Sequence, residues 1–271
     1  MLLVAIVLVV VFGSLFASYF VPMFRESRQT ARQAEMIREI FAEPMPPPPS
    51  PAPPPVQDTE EEPEEIEEEE VEPPPTLVQL AREATGNDHI VAFLEIPGTV
   101  IAYAVTHYYD NVFYLYHDLQ GQRTSAGTVF LDYLNSPDFS DRSSILYGHN
   151  MMNGTKFHNL RFFRDPEFIE EHRQINITSA YEVLRYDVFA VFITHISFNY
   201  IQVDFFDDDD FLRLANEIKS RSEQDFEIDE FVGDDRIIIL STCWGPVGTN
   251  YRLVVAGRLQ VDREDDVLEM G

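Results

Sequence analysis

From Thr76 onward the chain is a succession of short apolar runs separated by turn residues. The stretches Ile90–Ile96, Val100–Val105, Thr128–Tyr133, Ser144–Tyr147, Ile175–Ile177, Glu182–Thr194, Ile237–Ser241 and Arg252–Val261 have the length and the Val, Ile and aromatic content of strands. Turn signals such as Pro97-Gly98 and Asn135–Pro137 separate most of them. Many short strands with few helices predict an all-β barrel or sandwich. The run Ile237–Leu240 is apolar without alternation, the pattern of a strand buried on both faces. Helical spacing interrupts this pattern in four places. Thr76–Ala84 puts Leu77, Leu80 and Ala81 on one face and stops at Thr85-Gly86-Asn87; Phe157–Phe163 and Pro166–His172 read as short helices. Asp207–Arg221 opens with acidic residues suited to a helix N-terminus and continues with Leu212, Leu214, Ala215 and Ile218. The acidic run Asp207–Asp210 lacks the alternating ligand spacing of a calcium loop, so helix capping is the better account of it.

Ahead of Thr76 the pattern changes twice. Met1–Met23 is almost entirely apolar and long enough to cross a bilayer as one helix, which takes about 20 residues. No basic segment precedes it and no small-x-small site follows, so the expectation is an uncleaved anchor rather than a signal peptide. Phe24–Ala42 is built of helix formers and mixed charges, and is expected either to prolong the membrane helix along the surface or to act as a plain spacer. Pro44–Pro75, with its proline runs and the like charges of Glu60–Glu72, is unable to build a core and reads as an extended stalk. The expected organisation is an anchor over 1–23, a juxtamembrane helix and stalk over 24–75, and a catalytic domain over 76–271, its end Asp262–Asp266 a charged tail.

Composition narrows the function. The formal charge of −28 over 271 residues excludes nucleic acid as a partner and disfavours anionic lipid head groups at the folded domain. One cysteine excludes an internal disulfide framework while leaving a thiol for chemistry. His89, His107, His117, His158, His172 and His195 show no metal-ligand spacing, and there is no phosphate loop or dinucleotide fingerprint, so neither a metal nor a cofactor is expected.

That cysteine, Cys243, stands where the run Ile237–Ser241 ends, and Gly245, Pro246 and Gly248 then turn the chain back toward Arg252. A lone cysteine is commonly a small buried hydrophobe. However, a second apolar run ends in Gly148-His149-Asn150, which puts an imidazole at a strand end too. Thiolate is the reactive form of cysteine, and a neighbouring imidazolium and guanidinium both favour it. If the three strand ends meet, Cys243 attacks a peptide carbonyl and His149 shuttles the proton between leaving and incoming amines. Arg252 then either stabilises the oxyanion or orients the substrate.

The segments LSTC (Leu240–Cys243), YGHNM (Tyr147–Met151) and YRLVVAGRL around Arg252 resemble the signature of sortases, cysteine transpeptidases of the Gram-positive cell surface. IPGTVIAY (Ile96–Tyr103), DNVFYL (Asp110–Leu115), GTVFLDY (Gly127–Tyr133) and the long helical connection before Cys243 are similar to class B. The resemblance spans roughly Thr76 to Val261. It implies a closed eight-stranded barrel with an N-terminal helix and helical insertions, outside the cytoplasm and held by a single membrane-spanning helix. The arginines after the apolar segment, Arg25, Arg28, Arg32 and Arg38, would by charge alone favour the opposite topology. The resemblance also implies a groove for a sorting-signal peptide of the Asn-Pro-x-Thr type lined by Asn111, Leu115, Tyr147, Tyr200, Ile201, Ser241 and Thr242. The acyl acceptor it implies is an amine of a peptidoglycan precursor. A pilin-polymerising enzyme with a lysine acceptor, and a cysteine hydrolase using water, are the alternatives. Gly245 stands where some family members have an acid two places after the cysteine, which argues against a Cys-His-Asp triad there.

Overall fold

The computed structural model describes residues 28, 31–42 and 75–260. The expected anchor at Met1–Met23, the stalk Pro44–Pro75 but for its last residue, and the charged tail Asp262–Asp266 lie outside them. Among the described residues no helix is long and apolar enough to cross a membrane.

Eight strands form a closed barrel: β1 (Ile90–Glu95), β2 (Ala102–His107), β3 (Val129–Leu131), β4 (Ser143–Tyr147), β5 (Gln174–Ser179), β6 (Val183–His195), β7 (Ile237–Cys243) and β8 (Tyr251–Leu259). Around the barrel the order is β1-β2-β3-β4-β7-β8-β6-β5. Two neighbouring pairs, β2 with β3 and β4 with β7, are parallel and the rest antiparallel. A parallel pair cannot be joined by a hairpin, so long crossovers are obligatory between its strands. The β4-to-β7 crossover includes a 3-10 helix (Phe157–Arg164), α3 (Pro166–His172) and α4 (Asp208–Ser220).

All four residues Ile237–Leu240 are fully buried because the two faces of β7 meet different partners. Ile238 and Leu240 face the barrel interior with Leu146, Val105, Leu253 and Val255. Ile237 and Ile239 pack on the outer side under α4, with Phe211, Leu214, Ala215 and Ile218. Helix α4 starts as its sequence indicates. The Asp207 side chain caps the Asp210 amide at 2.9 Å, and Asp208, one of three carboxylates in the first turn, pairs with Arg142 at 2.6 Å.

At the opposite side of the barrel, α2 (Leu77–Thr85) begins with a capping box between Thr76 and Gln79 and ends at Gly86 in the left-handed region. Residues 31–42, which we label α1, form a helix, and it packs on the outer face of β1 and β2. Ile37 is buried against Val78, Ala81, Ile90 and Phe93, and the Phe41 ring stacks on Phe93 at 4.5 Å. The reason is visible in the spacing: Ala34, Ile37 and Phe41 recur at i, i+3 and i+7, an apolar stripe that needs cover. Strand limits also shift. Val100 is exposed in the turn before β2, and β3 stops at Leu131, where the chain turns and the Asp132 side chain accepts from the Leu134 amide at 3.0 Å.

Truncating Ile37 to Ala should remove about 2 to 5 kcal/mol from the unfolding free energy, as for other buried isoleucines. Denaturant unfolding of the full chain checks this; a loss within a few tenths of a kcal/mol would show that α1 does not hold to the barrel in solution.

Candidate active site

Cys243 is the last residue of β7 and its side chain is exposed. Directly across the β7–β8 ladder stands Arg252, so the seven-residue loop between them returns a guanidinium to the level of the thiol. Gly245, with φ of 98°, sits in a conformation that a side chain would strain. The loop is pinned where it leaves and re-enters the sheet: the Trp244 amide donates to the Tyr251 carbonyl at 3.0 Å. The Trp244 ring also lies beside two guanidinium groups of the 3-10 helix, Arg161 at 5.6 Å and Arg164 at 5.1 Å.

The imidazole comes from the neighbouring strand. Parallel register sets Tyr147 of β4 opposite Ser241 of β7, so the next residues, Gly148-His149, run alongside Thr242-Cys243. Hydrogen bonds between loop and strand hold that alignment beyond the ladder. The Thr242 hydroxyl donates to the Gly148 carbonyl at 2.7 Å, and the Asn150 amide donates to the Cys243 carbonyl at 2.9 Å. Gly148 has to lack a side chain, because a Cβ there would lie 2.8 Å from the buried Phe157 ring.

His149 Nε2 lies 2.8 Å from the Leu115 carbonyl oxygen. A carbonyl only accepts, so Nε2 carries the proton and Nδ1 is the unprotonated nitrogen of the neutral ring. Gly127 makes this contact feasible: its φ is 55°, and a Cβ would come within 2.5 Å of the same Leu115 oxygen. Burial pushes the His149 pKa below the ordinary histidine value, the Leu115 carbonyl pulls it partly back, and the positive charge of Lys156 pushes it down again. Lys156 is itself buried, with its ammonium 5.3 Å from the Tyr103 ring centre. Burial brings its pKa down to about 8 against the opposing pull of Asp118. Among the described residues, no hydrogen bond joins the Cys243 sulfur to His149, and no carboxylate pairs with Arg252. The guanidinium instead donates from Nη1 to the Thr249 and Tyr251 carbonyls, each at 2.9 Å.

Cys243, His149 and Arg252 line one cleft of about 540 Å³ at the barrel rim. Of the residues that the sequence resemblance puts in a peptide groove, Asn111, Leu115, Tyr147, Ser241 and Thr242 also line it. Tyr200 and Ile201 do not. Tyr200 is buried behind the wall, bonded to Ser241 Oγ at 2.8 Å, and Ile201 is exposed elsewhere on the same connection. The cleft contains no carboxylate, although the chain carries 47 acidic residues against 19 Lys and Arg. Its charge is therefore locally positive, as an anionic sulfur or oxyanion requires.

Sequence reasoning missed Tyr116, Phe130, Pro246 and Val247 in the lining, and Asp132, Lys156 and the Leu115 carbonyl behind it. Tyr116 and Phe130 adjoin or fall within the segments DNVFYL and GTVFLDY, which was a usable signal. A backbone carbonyl has no signature in a sequence, and Lys156 reads as an ordinary surface lysine until the loop that buries it is seen.

Three comparisons bear on this geometry. A family model described as the sortase domain matches residues 94–260. Sortase B of Listeria monocytogenes is 34% identical over 176 residues, 64% of this chain and 70% of that protein. Sortase B of Staphylococcus aureus is 30% identical over 174 residues, 64% and 71% of the two chains. Among solved structures, the S. aureus sortase B–substrate complex superposes with a TM-score of 0.63 at 28% identity, covering 69% of this chain and 87% of that one. Sortase B from L. monocytogenes gives 0.59 at 33% identity, covering 65% and 97%. A thiol, an imidazole and a guanidinium at the rim of an eight-stranded barrel, together with these matches, establish that the chain belongs to the sortase family of cysteine transpeptidases, class B.

Proposed function

We propose that this sortase cleaves a C-terminal sorting signal of the Asn-Pro-x-Thr type in exported proteins and transfers the new carboxyl end to an amine of a cell-wall precursor. The observation that carries this reading is the convergence of Cys243, His149 and Arg252 on one open, acid-free cleft. The solved S. aureus relative with bound substrate supports a peptide as the occupant. Its setting would be the outer side of the membrane, with the catalytic domain held by the apolar segment Met1–Met23.

The steps follow from the resting protonation. The Cys243 thiol passes its proton to His149 and the sulfur attacks the peptide carbonyl carbon, forming a C–S bond and an oxyanion. Collapse breaks the C–N bond, and the leaving amine takes the proton from His149, which is neutral again. The incoming amine then gives a proton to His149 and attacks the thioester, and the released sulfur regains that proton. Arg252 either meets the oxyanion or orients the substrate. Its two backbone carbonyl partners fix the planar fork, so a lysine would not reproduce the geometry.

The full-length chain in detergent, mixed with Asn-Pro-x-Thr peptides and a primary amine and followed by mass spectrometry, should yield the acyl-enzyme and the amide product. Hydrolysis alone with every amine tried would overturn the transfer step. Cys243→Ala should abolish the acyl-enzyme. His149→Ala and Arg252→Ala should each lower kcat/KM by about 10²- to 10⁴-fold, with little recovery in Arg252→Lys; rates near wild type in any of these would remove that residue from the machinery.

His149 generates a pH prediction. Its pKa is lowered in the folded state, so between that value and about 6.5 the unfolded chain binds more protons. Stability therefore falls as pH drops through this window and levels off below it. His158, also lowered chiefly by burial, acts in the same direction, so the comparison is wild type against His149→Gln. The variant should show a shallower fall in unfolding free energy from pH 7 to 5; an unchanged slope would place the effect elsewhere.

A further inference from the structure

Part of the cleft wall, Asn111 and Tyr147, rests on a buried carboxylate that takes no part in the chemistry above. Asp132 follows β3 directly and is only 3% exposed. Its backbone amide is tied to the Ile145 carbonyl of β4 at 2.8 Å. One carboxylate oxygen, Oδ1, accepts from the Leu134 amide at 3.0 Å. The other, Oδ2, accepts from two cleft-lining side chains at once, Asn111 Nδ2 and the Tyr147 hydroxyl, both at 2.8 Å. Among the described residues no cation forms an ion pair with it.

A buried ionised carboxylate without a counter-ion is costly unless several donors satisfy it. Here all three of these donors are neutral, and two of them belong to the groove. Because a carboxylate only accepts, it dictates what each partner has left over. The Asn111 amide cannot flip: Nδ2 must face Asp132, while Oδ1 accepts from the Tyr133 amide at 3.0 Å. Asn111 keeps one N–H to offer. The Tyr147 proton is committed to Asp132, and burial together with that negative charge raises the Tyr147 pKa, which keeps the proton in place. Tyr147 keeps only oxygen lone pairs. One N–H donor beside one oxygen acceptor is the complement of an amide, whose C=O accepts and whose N–H donates.

We propose that Asp132 is a positioning residue for the donor peptide: it fixes Asn111 as donor and Tyr147 as acceptor, so that this wall selects an amide group of the substrate. The inference rests on the peptide-transfer function proposed above. Its consequences fall on binding rather than on bond making, because Asp132 touches neither Cys243 nor His149 nor Arg252.

The test uses the full-length chain in detergent and an Asn-Pro-x-Thr peptide with an amine acceptor. Asp132→Asn keeps the shape but replaces one acceptor oxygen by an N–H₂ group, so at least one of the two groove side chains loses its enforced polarity. KM for the peptide should rise about tenfold or more, as for loss of a charged hydrogen bond, while kcat changes little. The thermal midpoint and the rate of Cys243 alkylation by iodoacetamide should stay near wild type. An unchanged KM would overturn the proposal, as would a fall in kcat accompanied by slower alkylation and a lower midpoint, which a purely structural role produces.

Two further measurements keep it testable. If Asp132→Asn does not fold, Asn111→Ala and Tyr147→Phe should raise KM less than additively in combination, since both act through one carboxylate; strict additivity refutes the coupling. Failure of the wild-type chain to form any acyl-enzyme would instead sink the peptide-transfer reading and with it the substrate half of this proposal. The positioning half then stands or falls on the Asn111 side-chain amide signals in ¹⁵N-resolved NMR. In wild type the Nδ2 proton that faces Asp132 should be shifted downfield and exchange with solvent more slowly than its partner, and both differences should shrink in Asp132→Asn; two Nδ2 protons with the shift and solvent exchange of a free side-chain amide in wild type overturn it.

Discussion

The parallel pairing of β4 with β7 is the constraint on which the rest depends. Two strands that run in the same direction end at the same rim, so residues just past their ends become neighbours although 94 positions separate His149 from Cys243 in the sequence. The ladder alone would leave those ends to fray. The Thr242 hydroxyl on the Gly148 carbonyl and the Asn150 amide on the Cys243 carbonyl extend the pairing past it, as far as His149 and Cys243. Both bonds are side chain to backbone and so survive the loss of regular strand geometry. Parallel pairing also requires a long crossover, and this chain uses it: α4 in the crossover covers the outer face of β7, so the strand that ends in Cys243 is packed on both sides.

Electrostatics at the rim follow from the same packing. The chain as a whole is strongly acidic, and a thiolate or an oxyanion in such a field would be disfavoured unless the site were shielded. The cleft is lined by no carboxylate, and Arg252 has only carbonyl partners, so its charge is not consumed by an internal ion pair. His149 is kept neutral at rest by burial and by Lys156. An imidazole neutral at rest is free to accept a proton, and the guanidinium is free to face an anion. Lys156 is itself under the barrel wall, between Tyr103 and the region covered by α1, so this helix packs close to a residue that influences the His149 imidazole.

Much of this was legible before any coordinates. The strands were readable because their apolar runs are short and bounded by Gly, Pro and Asn, and the fully apolar run at Ile237–Leu240 signalled cover on both faces. That Cys243, His149 and Arg252 share one rim was readable because Cys243 and His149 follow the ends of apolar runs and Arg252 opens the next one. Contacts that depend on the fold's closure were not. The docking of α1 is one of them, because an apolar stripe of Ala34, Ile37 and Phe41 says that something is covered without saying what covers it. Tyr200 was placed in the groove by resemblance, whereas its ring is buried and only its hydroxyl reaches the wall through Ser241. The Leu115 carbonyl that sets the His149 tautomer has no sequence signal at all.

The division of labour among the buried charges explains why the site tolerates an uncompensated carboxylate at all. Asp132 and Lys156 are both removed from water, and each would be expensive if it were merely structural. They act in opposite directions on separate neighbours: the lysine favours a neutral His149, and the carboxylate holds the Tyr147 proton in place. Neither lines the cleft, so both can impose a protonation state on a groove residue without presenting a charge to the substrate. Among the described residues, Arg252 is the one Lys, Arg, Asp or Glu that lines the cleft, across the ladder from Cys243. A field defined by one cation, with the other charges kept behind the wall, directs developing negative charge to one place.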